Sequence, residues 1–411
     1  MEGSERAPAA APSERAARIG RLHLRNFRNF ADLEVELPPP GVAVVGPNGS
    51  GKTNLLEAIY YLETFRSFRG ANDRELIRFG EDVFRIEATL RGPGGDEETE
   101  LAAAYQRAGR RKKVEVDRRD VSRLSDAIGE LGAVVFSLED VEIVRGSPSE
   151  RRRFLDILLS LIEPGYVEAL QEYRSVLSQR NEALKEGATG PVLEAWTEGL
   201  VDAGASVMAA RAGWLDERLG DYRRYHEAIA GGDTGSIAYE PETGWPEDGE
   251  TARSASPGRP GDPVGVGGDG AAGVWRERFL RALDETAERE RRRGVTVTGP
   301  HRDEVAFEAQ VAGEPERGLR TYGSGGQQRT AALALRLVEA DSLRDRLGRE
   351  PVYLLDDVFA ELDEERSARL MRLLEEGRTG QVVVTSPRPS DMELRGGGLE
   401  EWRIRDGEVT T

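Results

Sequence analysis

A glycine-rich turn ending in a lysine restricts the possible folds of this chain more than any other segment. It fits the pattern G-x-x-x-x-G-K-[ST] and lies between an apolar segment, Val42–Val45, and a segment of helical character from Asn54 to Phe65. Its residues are Gly46, Pro47, Asn48, Gly49, Ser50, Gly51, Lys52 and Thr53. Small residues between a strand and a helix let backbone N–H groups surround an anion at the positive end of the helix. The pattern therefore predicts a phosphate cradle on an α/β sheet.

The side chains at the end of this turn predict the ligand. Lys52 is placed to reach the β- and γ-phosphates of a nucleotide, and the hydroxyl of Thr53 to hold Mg²⁺. A glycine-rich turn that matches by chance is the alternative, and the flanking strand and helix argue against it. We therefore predict a site for ATP and Mg²⁺.

A second segment carries the acidic groups that such a site requires. The apolar run Val352–Leu355 ends in Asp356 and Asp357. A buried strand that delivers an aspartate to the sheet edge is typical of the Walker B element, so we assign Asp356 to Mg²⁺. We assign Asp357 to orienting or deprotonating the attacking water. An acidic strand end that merely leads into a turn is the alternative.

A second glycine-rich turn precedes a strongly helical run that begins near Thr330. Its candidate ligand residues are Ser324, Gly325, Gly326 and Gln327. A serine and free backbone N–H groups at a helix start again favour an anion. Because one copy needs only one triphosphate pocket, we interpret this turn as half of a composite site that closes over nucleotide on another copy. It resembles the signature loop of ABC-type ATPases; an ordinary serine–glycine helix cap is the alternative.

Composition excludes several other classes of protein. The chain has no cysteine and three histidines, so disulfides, thiolate metal sites and multi-histidine metal centres are not expected. No apolar run approaches the roughly 18 to 20 residues that span a bilayer, so we expect a cytoplasmic protein without membrane association. The net charge of −18 argues against a uniformly basic surface for nucleic acid, although local basic patches remain possible.

The pattern along the chain predicts a discontinuous head. Residues 1–18 are interpreted as a disordered tail, 19–120 and 294–411 as the head, and 121–293 as a lobe of amphipathic helices. Within the lobe, 231–273 is expected to be mostly a flexible insertion rich in glycine and proline. Strands are predicted at Val295–Thr298 and Val305–Ala309. The helical segments lack a sustained heptad pattern, so a long coiled coil is not expected.

Several stretches in a fixed order resemble the RecF family. They are Leu24–Phe30, Val135–Asp140, Gly146–Asp156, a Y-x-x-x-L-x-Q-R-N pattern from Tyr173 to Asn181, Gly299–Asp303 and Gly326–Arg329. Two positions depart from the family pattern, with Leu138 where proline is usual and Gly325 where arginine is usual. Neither departure affects Lys52, Asp356 or Asp357.

This resemblance implies an α/β fold, an ABC-type (SMC-like) P-loop ATPase head with an inserted helical lobe. It also implies an ATP-dependent homodimer on double-stranded or gapped DNA, slow hydrolysis that releases it, and a role with RecO and RecR in loading RecA. One rival interpretation is a scaffold that binds nucleotide with little hydrolysis. The other is the ATPase subunit of a transporter, in which the interval between P-loop and signature is usually much shorter than that between Thr53 and Ser324.

A compact basic run is the candidate DNA contact. It contains Arg110, Arg111, Lys112 and Lys113, next to Gly109, which suggests a hairpin tip. A solvated charged face is the alternative for this run. Arg28 could approach the nucleotide or a dimer seam. Arg118 with Arg119, and Arg151 to Arg153, are further DNA candidates, although Arg151 and Arg152 could instead form salt bridges between lobe and head. We expect a structural contact rather than general-base chemistry from His301.

Overall fold

The computed structural model describes residues 18–92, 98–243, 269–310, 315–375, 380–387 and 399–410. These residues form two compact units. The first holds the described residues of Met1–Glu139 and Glu339–Thr411, and the second is built from Asp140–Val338. None of the described helices has the length and hydropathy needed to span a membrane.

A mainly parallel sheet organises the first unit. Its strand order is β15-β14-β3-β13-β12-β8, with only β15 antiparallel to its neighbour. The strands are β3 (Gly41–Val45), β8 (Ala133–Ser137), β12 (Val352–Asp356), β13 (Val382–Ser386), β14 (Glu400–Arg405) and β15 (Glu408–Thr410). Strands β3, β8 and β12 are nearly continuous runs of buried residues, as expected for parallel strands covered on both faces.

An antiparallel sheet in the same unit has the order β2-β1-β4-β5-β6-β7. Its strands are β1 (Arg18–Phe27), β2 (Phe30–Glu36), β4 (Val83–Arg91), β5 (Glu98–Gln106), β6 (Arg111–Val116) and β7 (Arg119–Asp120). The helices of this unit are α1 (Lys52–Thr64), α2 (Asp73–Leu76) and α10 (Glu364–Glu375). Helix α1 packs against strands of both sheets, and Tyr61 on it contacts Phe84 edge to face at 5.4 Å. Burial of these aromatic and aliphatic side chains fixes the helix that follows the glycine-rich turn.

The second unit is mostly helical. Its helices are α3 (Val141–Arg145), α4 (Pro148–Ile162), α5 (Tyr166–Lys185), α6 (Pro191–Ala230), α7 (Asp269–Arg293) and α8 (Leu319–Tyr322). Helix α9 (Gly325–Leu347) contributes residues to both units. A small antiparallel sheet consists of β9 (Thr234–Glu240), β10 (Glu304–Gln310) and β11 (Arg317–Gly318).

The strand predicted at Val295–Thr298 is wrong. The segment is buried, yet side chains rather than a neighbouring strand satisfy its backbone donors. The N–H of Thr296 donates to Asn181 Oδ1 at 2.7 Å, and that of Val297 to Glu290 Oε1 at 2.9 Å. An alternating apolar pattern cannot show whether the buried N–H groups bond to a neighbouring strand or to side chains.

The predicted insertion 231–273 contains a strand. Residues Thr234–Glu240 form β9, which pairs with all seven residues of β10 and buries Ile237 and Tyr239. Residues 244–268 of that insertion, and 1–17 of the predicted tail, lie outside the described residues. The boundaries of the second unit, Asp140 and Val338, differ from those of the predicted lobe, 121–293. The first boundary lies later in the chain because β8 pairs with β12 in the parallel sheet of the first unit. The division into head and lobe stays a prediction.

Candidate nucleotide site

The glycine-rich turn and the acidic pair lie at the same edge of the parallel sheet. Strand β13 separates β3 from β12, and its register places Thr385 beside Asp356 and Ser386 beside Val45. The turn leaves β3 immediately after Val45. Loops at the carboxyl ends of parallel strands form the binding crevice in sheets of this kind.

The backbone of the turn has the conformation of a phosphate cradle. Gly49 and Gly51 have φ values of 81° and 117°, which side chains disfavour, and α1 begins directly after Gly51. Lys52 is buried, and its Nζ donates to the carbonyl oxygens of Gly46 at 2.9 Å and Pro47 at 3.2 Å. The buried Ser50 Oγ makes no hydrogen bond within the described residues. An ammonium and a hydroxyl at the start of a helix fit a phosphate chain.

The predicted metal ligands contact each other. Thr53 Oγ1 donates to Asp356 Oδ1 at 2.9 Å, and Thr385 Oγ1 donates to the same oxygen at 2.9 Å. Burial raises the pKa of Asp356, the two hydroxyl donors lower it, and the neighbouring Asp357 raises it. A buried carboxylate beside a second acidic group and a hydroxyl is a donor set that suits Mg²⁺, since the cation would offset the cost of the buried charge.

Asp357 adopts an unusual backbone conformation directly after the strand. Its φ is 49°, and its N–H donates to Thr385 Oγ1 at 3.0 Å. Left-handed conformations of non-glycine residues concentrate at functional sites, and aspartate tolerates them better than most residues. The catalytic assignment of Asp357 stays a prediction.

An open cavity of about 830 Å³ adjoins the cradle. It is lined by Arg28, Asn29, Asn54, Arg74, Glu75, Ile77, Arg78, Phe79 and Arg107. The Phe79 side chain is 99% exposed, so a hydrophobic ring stands in solvent among arginines. The guanidinium groups of Arg74 and Arg78 have no hydrogen bond or ion pair to other described residues. Asn54, which lines the cavity, is the residue after Thr53 on α1.

Arg28 has a structural partner within its own unit. Its Nε and Nη2 both bond to the carboxylate of Glu57 on α1 at 2.8 Å, and Glu57 is fully buried. Ser67 donates to Glu57 as well, at 2.5 Å. Arg28 is therefore attached to α1, and its charge is neutralised by Glu57. Its approach to the nucleotide or to a dimer seam stays a prediction.

The second glycine-rich turn, in the other unit, forms a capping box. The N–H of Ser324 donates to Gln327 Oε1 at 2.9 Å, and the N–H of Gln327 donates to Ser324 Oγ at 3.2 Å. This reciprocal pair starts α9. The helix cap considered from sequence is therefore present, and the phosphate-sensing role of Ser324, Gly325, Gly326 and Gln327 stays a prediction.

The basic run begins at the tip of the β5–β6 hairpin with Arg110 and continues along β6, and its four candidates have different partners. Lys112 bonds to Asp73 at 2.9 Å and to the Phe65 carbonyl at 2.6 Å, and Lys113 bonds to Glu115 and Asp120. Arg110 and Arg111 are exposed and have no such partner among the described residues. If this tip contacts DNA, the two arginines are its available charges.

Buried polar networks hold the motif residues of the second unit. Arg151 pairs with Glu304 at 2.5 Å, within the same unit, and Arg152 donates to the Asp303 carbonyl. Tyr173 and Thr296 hold His301 through its two ring nitrogens, at 2.6 Å and 3.3 Å. Burial, followed by nearby arginines, lowers the pKa of His301 to about 4. The expectation of a structural contact for His301 agrees with this geometry.

Sequence patterns identified neither Thr385 nor Asn29 as a site residue. Thr385 lies near the end of the apolar run that forms β13, and that position is its only local signal. Asn29 lies in the β1–β2 turn, and its Nδ2 donates to the Ser50 carbonyl at 2.9 Å. Neither contact follows from sequence spacing.

Known protein sequences match this chain over most of its length. The RecF/RecN/SMC N-terminal domain profile matches residues 18–396. The DNA replication and repair protein RecF of Bacillus subtilis (strain 168) is 34% identical over 398 residues, which are 95% of this chain and 99% of the relative. The protein of the same name from Synechococcus sp. (strain JA-3-3Ab) is 38% identical over 89% of this chain and 90% of its own length.

Comparison with solved structures gives the same picture. A structure described as the recombination mediator protein RecF-ATPrS in the RecFOR pathway is 29% identical with a TM-score of 0.80, and the match covers 97% of this chain and 98% of that one. An Smc head domain from Pyrococcus furiosus, bound to part of ScpA, is 16% identical with a TM-score of 0.51 and shares the fold. The similarity thus extends beyond the P-loop to both units.

Proposed function

This chain belongs to the RecF branch of the RecF/RecN/SMC N-terminal domain family, and from that premise we propose that it is an ATP-controlled switch on DNA during replication and repair. Its fold is that of an ABC-type, SMC-like ATPase head, without a long coiled coil among the described residues. Solved RecF structures named for ATP and ATPrS support ATP as the nucleotide.

One observation carries the proposal. Thr53 of the glycine-rich turn and Asp356 of β12 are hydrogen-bonded at 2.9 Å at the carboxyl edge of the sheet. Lys52 and the backbone N–H groups of the turn would bind the phosphates, and Thr53 with Asp356 would hold Mg²⁺. The bound Mg·ATP supplies a phosphoanhydride bond whose cleavage separates two states of the switch. Asp357 would orient the attacking water or take its proton.

The second part of the proposal concerns assembly. Ser324 and the glycines after it would bind nucleotide held by the Lys52 of a second copy, so that ATP closes a homodimer on double-stranded or gapped DNA. Hydrolysis would reopen the dimer. Slow hydrolysis of ATP suits such a dimer, because its function depends on the change between open and closed states and not on the amount of ADP formed. Action beside RecR and RecO in loading RecA belongs to the same proposal, supported by the pathway named for the RecF structures.

The test is the molar mass in solution, measured by light scattering with and without Mg·ATP and short duplex DNA. We expect a monomer that becomes a dimer with ATP, and more readily when DNA is present. Lys52→Ala should abolish the ATP-dependent dimer. Asp357→Asn should keep nucleotide binding and prolong the lifetime of the dimer on DNA.

The outcomes separate the rival interpretations. Dimers of Lys52→Ala that form without nucleotide would contradict the composite site. A wild-type protein that binds ATP yet stays monomeric on DNA would favour the scaffold. An unchanged DNA lifetime in Asp357→Asn would contradict hydrolysis-coupled release, since that variant removes only the group assigned to the water.

A further inference from the structure

The turn between β1 and β2 contacts the glycine-rich turn through one side chain. Asn29 Nδ2 donates to the Ser50 carbonyl at 2.9 Å, and Asn29 Oδ1 accepts from Asn54 Nδ2 on α1 at 2.8 Å. The Asn29 amide therefore bridges the residue before Gly51 and the first turn of the helix that follows. Both of its polar atoms are used.

This hydrogen bond determines the direction of a peptide group in the cradle. The carbonyl of Ser50 and the N–H of Gly51 belong to one planar trans peptide, so they point in opposite directions. A second donor, the N–H of Gly407 in the β14–β15 turn, reaches the same carbonyl at 3.3 Å. With its carbonyl held outward by two donors, the peptide presents the Gly51 N–H to the opposite side, where the phosphates are proposed to lie.

The packing around Asn29 leaves little freedom for this peptide. A Cβ on Gly51 would lie 2.5 Å from Asn29 Nδ2, and a Cβ on Gly407 would lie 2.6 Å from the Asn29 carbonyl oxygen. A side chain at Gly51 would therefore displace the side chain of Asn29, and one at Gly407 would displace the β1–β2 turn. The close approach explains why glycine is needed at both positions, beyond their φ values of 117° and 83°.

The neighbouring residue anchors Asn29 to the same helix. Arg28 forms the two-bond ion pair with the fully buried Glu57, which lies on α1 one turn beyond Asn54. The β1–β2 turn is thus attached to α1 at two successive residues. A shift of the turn relative to the glycine-rich segment would break this buried ion pair.

We propose that Asn29 is a positioning residue for phosphate binding, which acts by holding the Ser50–Gly51 peptide with its N–H toward the phosphates. The inference rests on the proposed nucleotide site. It assigns Asn29 no contact with the nucleotide itself. Removing its donor should leave the fold intact while lowering affinity for the phosphate chain.

The experiment compares full-length variants by calorimetric titration with Mg²⁺ and inorganic tripolyphosphate, which carries the phosphates without ribose or base. Asn29→Leu is similar in size to asparagine and lacks both hydrogen bonds. We expect its affinity for tripolyphosphate to fall about tenfold, equivalent to about 1.4 kcal/mol. The control is Asn26→Leu, beside the same turn. Asn26 bonds to Glu81 and not to the cradle, and its φ of 51° makes leucine strained there, so this variant tests whether local destabilisation alone lowers the affinity.

A spectroscopic signal distinguishes positioning from general loosening. In protein labelled with ¹⁵N-glycine, the Gly51 amide should shift on addition of Mg²⁺ and tripolyphosphate in the wild type and Asn26→Leu. In Asn29→Leu it should respond weakly at the same saturation. An unchanged Gly51 response, or unchanged affinity, would overturn the inference.

Three further variants keep the outcome interpretable. If Asn29→Leu does not fold, Asn29→Asp decides: it still accepts from Asn54 but cannot donate to Ser50, and Asn26→Asp controls for the added charge. Lys52→Ala tests the underlying site. A wild type that fails to bind tripolyphosphate and ATP would contradict the proposed function, whereas normal wild-type binding with normal Asn29 variants contradicts only the positioning role.

Discussion

Thr53 Oγ1 and Asp356 Oδ1 are joined by a hydrogen bond of 2.9 Å although 303 positions separate the two residues in the chain. Strand β13 lies between β3, which leads into the turn before Thr53, and β12, which carries Asp356, and Thr385 of β13 bonds to the same carboxylate oxygen. The candidate metal site is thus a property of three adjacent strand ends, and its geometry depends on all three.

The first prediction concerns Thr385. Thr385→Val keeps the side-chain shape but removes the donor to Asp356 and the acceptor of the Asp357 N–H. We expect the Mg²⁺ concentration needed for half-maximal ATP binding to rise about tenfold, since one hydrogen bond to a charged group contributes roughly 1.5 kcal/mol or more. A Mg²⁺ titration at fixed ATP measures this. Thr64→Val, another buried threonine of the same unit, should leave the titration unchanged.

The second prediction concerns Phe79 and the cavity beside the cradle. If the cavity receives the base of ATP, Phe79→Ala should weaken ATP binding about tenfold, within the range of roughly 1–3 kcal/mol for stacking a base on an aromatic ring. Binding of tripolyphosphate should not change, because the phosphates contact other residues. Tyr322→Ala removes an aromatic ring that is 73% exposed and serves as control. Equal losses for ATP and tripolyphosphate would exclude base stacking on Phe79.

The third prediction concerns DNA. Arg110→Ala combined with Arg111→Ala should weaken duplex binding and reduce the slope of log affinity against log salt by about 2, roughly one for each phosphate that an arginine no longer neutralises. Fluorescence anisotropy at several salt concentrations measures both quantities. Lys113→Ala should have less effect, because Lys113 is already paired with Glu115 and Asp120. If Lys113→Ala lowers the slope as much per residue, ion pairing does not decide which charges bind DNA.

The fourth prediction concerns the ion pair between Arg28 and Glu57. Glu57 is fully buried, so Glu57→Ala leaves Arg28 without its anion and should lower the free energy of unfolding by about 3–5 kcal/mol. Urea denaturation followed by circular dichroism measures the change. Glu34→Ala breaks the exposed pair with Arg21 and should cost about 1 kcal/mol or less. Similar costs for the two variants would show that burial does not set the strength of the Arg28 pair.

The fifth prediction concerns pH. The pKa of His301 is lowered to about 4, so between that value and its ordinary value near 6.5 the unfolded chain binds a proton that the folded chain does not. His301 therefore costs the protein stability as pH falls from 6.5 toward 4, by up to about 3 kcal/mol. His301→Gln removes the titration, so the stability difference between wild type and variant should change across that window and stay constant from pH 7 to 8. A constant difference at all pH values would contradict the lowered pKa.

Local sequence patterns were sufficient for much of the fold, and they also supplied the candidate residues of the cradle. The P-loop, the strand ending in Asp356 and Asp357, and helices such as α4, α5 and α6 each have a signature within a few turns of chain. Hydrophobic periodicity and small-residue turns act over that range. Where several local signatures occurred in a fixed order, family membership followed as well, and the comparisons confirm it.

The prediction failed where a backbone could be paired in more than one way. Val295–Thr298 has the apolar character of a strand, but Asn181 and Glu290 supply its hydrogen bonds from neighbouring helices. Thr234–Glu240 was assigned to a mostly flexible insertion, although β10 stabilises it as a strand. In both cases the backbone bonds to a group on another helix or strand, and no pattern within the segment itself identifies that group.

By itself, then, the sequence determined which residues are the candidates for a phosphate cradle, because the small side chains and the lysine must be contiguous. Only the tertiary structure decided that Thr385 supports Asp356, that Asn29 holds the Ser50 carbonyl, and that Glu57 neutralises Arg28. Those contacts depend on the order of strands in two sheets and on how α1 packs between them. Burial of apolar side chains sets that packing, and the hydrogen bonds that orient the site follow from it.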